Sequence, residues 1–139
     1  EGIIYEDMIF TYKLFCEAKN ASYLSEYLYY RRYRENSVMT AKITEKNWVS
    51  ALKVYNKVHE YWYCLPEIKK SERHIVRCAY NVFNTYERLG SEDKQKYQQE
   101  HNQFKKVILA RKAYGDNVLK ARCYGKWCWG MYKVLTKLG

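Results

Sequence analysis

Two adjacent carboxylates, Glu6 and Asp7, stand where a run of apolar residues begins. A positioned carboxylate can act as a general base that takes the proton from a hydroxyl nucleophile. The same pair also suits the first turn of a helix, because the exposed N–H groups and the helix dipole attract negative charge there. Spacing alone therefore leaves two interpretations open, a catalytic base and an ordinary helix N-terminus.

A second polar cluster follows later in the chain and reads Arg31-Arg32-Tyr33-Arg34-Glu35-Asn36-Ser37-Val38-Met39. Arg32 and Arg34 could bind the diphosphate of a sugar donor or an anionic acceptor, because the forked N–H donors of a guanidinium fit phosphate oxygens. They could equally belong to a charged loop in solvent. Ser37 is predicted to cap this loop rather than to contact a substrate.

Taken in this order, the two clusters resemble the C-terminal edge of the catalytic domain of bacterial family 2 glycosyltransferases. These enzymes have a GT-A fold and build capsule, lipooligosaccharide and other surface polysaccharides. Their acidic pair opens an apolar helix, as in Tyr5-Glu6-Asp7-Met8-Ile9-Phe10-Thr11, and a later motif is similar to Tyr-Arg-x-Arg-x-x-Ser-Ile-Met. The resemblance covers residues 1–40 and departs at Arg31, where the family often has an aromatic residue. It implies that Asp7 is the general base of an inverting transfer, with Glu6 as a neighbouring site residue.

The resemblance also implies what a parent enzyme would need in addition to this chain. A GT-A enzyme binds a nucleotide sugar on an N-terminal sheet and usually holds a divalent metal, Mg²⁺ or Mn²⁺, with an Asp-x-Asp motif. No Asp-x-Asp occurs here, so we expect no cofactor in this fragment. The fragment alone should not transfer sugar, because the leaving diphosphate would lack cationic stabilisation. The parent enzyme is expected to transfer a sugar to a glycan or lipid-linked acceptor.

Histidine and cysteine form no convincing metal site in the sequence. Only His74 and Cys78 stand at i, i+4 spacing, whereas a zinc site needs three or four ligands. We predict that this pair belongs to the surface and core of a helix. The five cysteines are an odd number, widely spaced and without a Cys-x-x-Cys pair, which is typical of reduced thiols in the cytosol.

The fold class of the chain is predicted to be mainly α. One proline and six glycines in 139 residues permit long helices. The first helix, predicted over residues 6–18, is apolar on more than one face and should be buried on several sides. Alternating aromatic residues predict a strand or hairpin around residues 22–33. Residues 1–40 would then be the C-terminal edge of a GT-A domain.

Residues 41–139 are predicted to form a helical bundle. Thr44 should cap a helix that Pro66 ends, Gly90 should end a second helix at its C-terminal cap, and Ser91 should begin a third that continues through Ile108. A last helix is predicted over residues 118–138. The apolar stripes expected to form the core are Trp48, Ala51, Leu52, Tyr55, Val58 and Trp62, then Ile75, Cys78, Ala79, Val82, Phe83, Tyr86 and Leu89.

The net charge is +10, and residues 101–139 hold nine basic residues against one acid, a balance of +8. An anionic partner would be attracted there. The last helix interleaves Trp127 and Trp129 with Lys126 and Lys133, which suits either contact with lipid headgroups or packing of the aromatic rings on neighbouring helices. Membrane contact would place the protein in the cytoplasm, peripheral on the inner face of the cell membrane, since no apolar run is long enough to span it.

The alternative to an enzyme fragment is a free-standing basic helical module that binds a membrane surface or nucleic acid. Nucleic acid is the less expected partner, because no known DNA-binding or RNA-binding motif appears. The nearly all-round apolar first helix favours the enzyme fragment, since a separate module would have no sheet to cover it. Exposed apolar surface on that helix would also permit a homodimer.

Overall fold

The computed structural model describes residues 2–30, 32, 34–35, 37, 40–65 and 72–110. Within them the chain is mainly helical, as predicted, and forms no strand. The helices, in chain order, are α1 (Glu6–Glu17), α2 (Glu45–Cys64), α3 (Glu72–Glu87), α4 (Ser91–Lys96) and α5 (Gln98–Ala110).

α2 begins at a polar cap, as the sequence predicts. Thr44 occupies the N-cap position with an extended backbone, and its backbone N–H and hydroxyl both donate to Asn47 Oδ1 over 3.0 Å. Asn47 therefore satisfies a donor that the helix itself leaves without a partner. At its other end α2 stops at Cys64, two residues before Pro66, which lies outside the described residues.

α2 and α3 pack against each other and supply most of the core. Both predicted apolar stripes face inward, because residues three and four apart share one side of a helix. α5 closes the third side, where the Phe104 ring lies edge-on to Tyr55 and tilted against Phe83. The largest side chains with less than 2% exposure are Trp48, Tyr55, Phe83, Ile75 and Ile108.

The third predicted helix is divided in two, and Gly90 has a different role from the predicted one. α3 ends at Glu87, and Gly90 directly precedes α4. With φ −64°, Gly90 is the N-terminal cap of α4 and not a left-handed C-terminal cap of α3. The helix that Ser91 begins stops at Tyr97, whose backbone leaves helical geometry. The Tyr97 ring packs on Trp48 with 4.9 Å between ring centroids, and its hydroxyl donates to Glu45. Docking onto α2 thus accompanies the break.

The strand predicted around residues 22–33 is wrong for the residues that the structure describes there. Residues 21–30 have no regular secondary structure and are exposed throughout, including Tyr23, Tyr27 and Tyr30 at 90% or more. An alternating aromatic sequence becomes a strand only beside another strand, and no described segment pairs with this one. The aromatic rings therefore lie in solvent.

α1 packs on α2 and α3 through one side only, which corrects the prediction that it is buried on several sides. Tyr12 and Cys16 are buried in the common core, and Met8 and Ile9 are half-buried. Phe10, Leu14 and Phe15 are exposed by 69%, 53% and 66%. These three residues, called the outer stripe below, form an apolar surface that the described residues leave uncovered.

Candidate active site

Glu6 and Asp7 form the first turn of α1, where both carboxylates are exposed. No side chain caps this helix; Tyr5 precedes it in the left-handed backbone region at φ 70°, and its carbonyl accepts the N–H of Met8 over 3.1 Å. Such a backbone costs a residue with a Cβ about 1–2 kcal/mol. The strained backbone of Tyr5 therefore lies directly before the acidic pair. Folded proteins keep a strained backbone only where surrounding contacts hold it in place.

Asp7 lies on the outer face of α1. Residues three or four positions apart share one face of a helix, and Asp7, Phe10 and Leu14 have this spacing. The buried residues Tyr12 and Cys16 lie on the opposite side. The Asp7 carboxylate therefore stands at the end of the outer stripe, and a body that covered the stripe would also face this carboxylate.

A shallow groove of about 560 Å³ runs beside the first turn of α1. Ile3, Ile9 and Phe10 form its apolar wall, and the charged residues Glu6, Lys13 and Lys57 also line it. It is open to solvent, so water screens these charges. Glu6 lines this groove and Asp7 does not, so the structure assigns the two predicted site residues to different surroundings.

Arg32 and Arg34 are exposed, and no hydrogen bond or ion pair within the described residues joins either guanidinium to Asp7 or Glu6. The loop that carries them is closed by hydroxyl groups: Thr40 Oγ1 donates to the Arg34 carbonyl over 2.7 Å and accepts the Ser37 N–H over 3.0 Å. Ser37 thus takes part in local loop bonding. Within this part of the chain the predicted acid and arginine groups remain two separate sets.

Two residues that sequence reasoning did not place in the site contact the backbone and side chains around the acidic pair. His74 Nε2 lies 3.1 Å from the Met8 carbonyl oxygen, to which it can donate, and its ring stacks on Tyr12 with 4.5 Å between centroids. Asn47 Nδ2 donates to the Tyr5 hydroxyl over 3.4 Å. Asp7 therefore stands between two residues that α2 and α3 contact.

The environment of His74 keeps its ring neutral at ordinary pH. Burial lowers the pKa of His74 below its usual value, the Met8 carbonyl opposes that shift, and the charge of Arg77 adds to it. A neutral imidazole that donates through Nε2 has the tautomer this contact needs. The sequence shows His74 and Cys78 only as an i, i+4 pair on one helix and gives no sign of the contact between His74 and α1. No periodic signal reports a bond across 66 positions.

The far end of α1 is attached to α2 by a different contact. The Tyr61 hydroxyl donates to a Glu17 carboxylate oxygen, and Lys13 Nζ lies 5.2 Å from the centroid of the Tyr61 ring. The hydrogen bond to Glu17, with burial and negative charge adding to it, raises the pKa of Tyr61 to about 12. Tyr61 therefore remains a neutral donor over the working pH range.

Within the described residues no three His, Cys, Asp or Glu side chains come together as a metal site. His74 and Cys78 lie one helical turn apart on α3, with the Cys78 thiol buried. No disulfide joins the three cysteines in this part of the chain: Cys16 and Cys78 are buried and Cys64 is exposed. None of the described helices has the length and apolar character required to cross a bilayer. The predicted membrane-contact residues lie outside the described residues: Trp127, Trp129, Lys126 and Lys133.

Comparison of the chain with protein-family models, with curated protein sequences and with solved structures gives no match. A functional assignment consequently has to come from the residues and their geometry. Within the residues that the structure describes, an accessible carboxylate lies at a helix start that has a left-handed backbone at Tyr5, contacts from two other helices, and an uncovered apolar stripe beside it.

Proposed function

We propose that this chain is the C-terminal part of an inverting glycosyltransferase of the family 2 type, and that Asp7 is its general base. The observation that carries the proposal is the shared outer face of Asp7, Phe10 and Leu14 on α1. If a nucleotide-binding domain covers the outer stripe, the Asp7 carboxylate comes to lie at the junction between that domain and the helices. The motif resemblance of residues 1–40 independently names the same residue.

The reaction proposed for Asp7 consists of one proton transfer, one bond formed and one bond broken. Its carboxylate accepts the proton of an acceptor hydroxyl while the hydroxyl oxygen forms a bond to C1 of the donor sugar. The bond from C1 to the diphosphate oxygen breaks, and the nucleoside diphosphate leaves with that electron pair. A general base of this kind contributes typically about 10² to 10⁴ in rate. Exposure of Asp7 on the outer face leaves the carboxylate reachable by an acceptor.

Other groups have supporting roles in the proposal. Arg32 and Arg34 would bind the diphosphate or an anionic acceptor through their guanidinium groups. The nucleotide sugar and the Mg²⁺ or Mn²⁺ ion would be held by the parent enzyme outside this chain, because the sequence has no Asp-x-Asp motif. Glu6, which lines the groove beside α1, would contact the acceptor rather than take its proton.

The proposed acceptor is a surface glycan or its lipid-linked precursor, and the proposed location is the cytoplasm with peripheral attachment to the inner face of the membrane. Residues 41–139 would form a helical domain that binds the acceptor, the membrane surface or a second copy of the chain. The excess of basic residues over residues 101–139 suits an anionic lipid surface. Nucleic acid is not proposed as a partner.

The test of this function compares the outer face of α1 with an exposed position on α2, in the protein encoded by the complete gene. Leu14→Asp places a charge in the outer stripe, and Lys53→Asp, on the exposed side of α2, is the matched control. Both positions are exposed here, so neither change should move the unfolding midpoint of the 139-residue chain by much. We expect Leu14→Asp to abolish sugar transfer from a panel of nucleotide sugars, and Lys53→Asp to preserve it. Equal transfer by both variants would contradict the proposal.

A further inference from the structure

We propose that His74 and Asn47 are positioning residues that hold the Glu6–Asp7 turn in place from the helical region. The inference rests on the proposed function of Asp7. It gives α2 and α3 a part in the reaction, beyond the acceptor, membrane or subunit binding proposed above for the helical domain.

The first contact comes from α3. His74 Nε2–H donates to the carbonyl oxygen of Met8, the residue that follows Asp7, over 3.1 Å. The same imidazole lies flat on the Tyr12 ring, with 4.5 Å between centroids and 5° between planes. Met8 and Tyr12 are one helical turn apart, so a single side chain fixes both the height and the rotation of the first turns of α1.

The second contact comes from α2. Asn47 is 6% exposed and uses its two ends differently: Oδ1 accepts from Thr44 at the start of α2, and Nδ2 donates to the Tyr5 hydroxyl over 3.4 Å. The cap therefore fixes the orientation of the amide, and the amide in turn reaches the residue two positions before Asp7. Tyr5 is the residue with the left-handed backbone at φ 70°. A non-glycine residue keeps such a backbone when surrounding contacts determine it.

These two contacts, called the clamp below, lie on either side of the Glu6–Asp7 pair and come from two different helices. A third attachment, between Tyr61 and Glu17, holds the opposite end of α1. A catalytic carboxylate must be held within a fraction of an ångström of its productive position. Loss of the clamp should therefore slow the reaction, whereas loss of the Tyr61–Glu17 contact should affect only the packing of α1. That difference separates positioning from general stabilisation.

Four variants isolate the clamp. Tyr5→Phe removes the hydroxyl and leaves the Asn47 cap intact, and His74→Phe keeps a flat ring against Tyr12 but has no group that can bond to the Met8 carbonyl. His74→Gln returns an N–H donor and serves as the rescue variant. Tyr61→Phe removes one hydrogen bond at the other end of α1 and is the control. Tyr5→Phe, His74→Phe and Tyr61→Phe each keep an aromatic ring, so the core is preserved. His74→Gln gives up the ring stacking on Tyr12 and keeps only the donor, so it isolates the hydrogen bond to Met8.

The first measurement is amide hydrogen exchange in the 139-residue chain. We expect exchange of the amides over residues 8–12 to become about five- to tenfold faster in Tyr5→Phe and His74→Phe, which is the local opening that the loss of one hydrogen bond produces. His74→Gln should lie within about twofold of the wild type. Amides over residues 104–108 of α5 should be unaffected. Equal acceleration in both regions, or none in α1, would overturn the clamp.

The second measurement is the initial rate of transfer by the protein from the complete gene, with the nucleotide sugar varied. We expect kcat to fall about tenfold in Tyr5→Phe and His74→Phe with the KM for the nucleotide sugar unchanged, since the base is displaced and donor binding is not. His74→Gln should recover kcat, and Tyr61→Phe should leave it alone. A fall in kcat of the same size in Tyr61→Phe, or none in the clamp variants, would refute a positioning role.

The same assay separates the failure of this inference from the failure of the proposed function. Loss of transfer in Asp7→Asn with full activity in the clamp variants removes only the clamp. Full transfer by Asp7→Asn, or none by the wild type, removes the catalytic role of the turn and the inference with it.

Discussion

His101 should make the stability of the fold fall as the solution becomes acidic. The residue is 4% exposed, its ring stacks on Tyr86 with 3.6 Å between centroids, and the Phe83 ring lies nearly perpendicular to it with 5.5 Å between centroids. Its Nδ1 atom has no hydrogen-bond partner within the described residues. Burial, with a smaller effect from the charge of Lys105, lowers the pKa of His101 to about 3, against an ordinary value of 6.5.

The sign of the effect follows from which state binds the proton. Between pH 6.5 and about pH 3 the unfolded chain protonates this ring and the folded chain does not. The free energy of unfolding therefore decreases as the pH falls through that window, by about 1.4 kcal/mol per pH unit well inside it. Lowering the pH from 7.5 to 4.5 should cost about 2 to 3 kcal/mol through His101 alone.

The assay is urea unfolding at these two pH values, followed by tryptophan fluorescence, for the wild type and His101→Phe. Phenylalanine preserves the flat apolar ring and should change the stability at pH 7.5 by less than about 1.5 kcal/mol. The lowered pKa values of His74 and Glu45 also add to the slope, but they are the same in both proteins and cancel in the difference. The account is refuted if His101→Phe loses as much stability on acidification as the wild type does.

Two further predictions concern the core and the thiols. Phe83→Ala should lower the free energy of unfolding by about 3 to 5 kcal/mol, because a ring with 2% exposure is replaced by a cavity between α2, α3 and α5. Urea unfolding measures this change. A loss under about 1 kcal/mol would show that the helices do not pack as described. Among the three cysteines that the structure describes, Cys64 should be alkylated rapidly at pH 8 in the folded protein, whereas Cys16 and Cys78 should react only on unfolding. The raised pKa of Cys78, about 12 because of burial, adds to its protection. Peptide mapping by mass spectrometry decides this, and equal labelling of Cys64 and Cys78 before unfolding would contradict it.

The helices whose burial is periodic were predictable from the sequence. The stripes of α2 and α3 repeat every three or four residues, and the buried set includes Trp48, Tyr55 and Phe83 as expected. The cap at Thr44 was also predictable, because its signal is local. These predictions needed no knowledge of distant contacts.

The errors share a physical cause, which is dependence on distant partners. Alternating aromatic residues over 22–33 predict a strand, but without a neighbouring strand the described part of this segment stays irregular and exposed. The break at Tyr97 accompanies the docking of its ring on Trp48, 49 positions away in sequence. A helical period continues through such a residue unaltered, so it gives no sign of the break.

In the candidate site, too, the local features were predictable from the sequence and the long-range contacts were not. The sequence indicated that Glu6 and Asp7 open a helix, and α1 begins at Glu6. That α1 turns Asp7 and the outer stripe away from the core could not be derived, since the helix is apolar nearly all round. The contacts of His74 and Asn47 with the turn span 66 and 42 positions, and only the packing of α1 on α2 and α3 brings them together.

The most direct test of the central claim is sugar transfer by the protein from the complete gene, comparing the wild type with Asp7→Asn. Asparagine keeps the size and the helix position of the side chain but cannot accept the proton of an acceptor hydroxyl. If Asp7 is the general base, the variant should lose about 10² to 10⁴ in kcat while its KM for the nucleotide sugar stays unchanged. Transfer at the wild-type rate by Asp7→Asn would contradict the account.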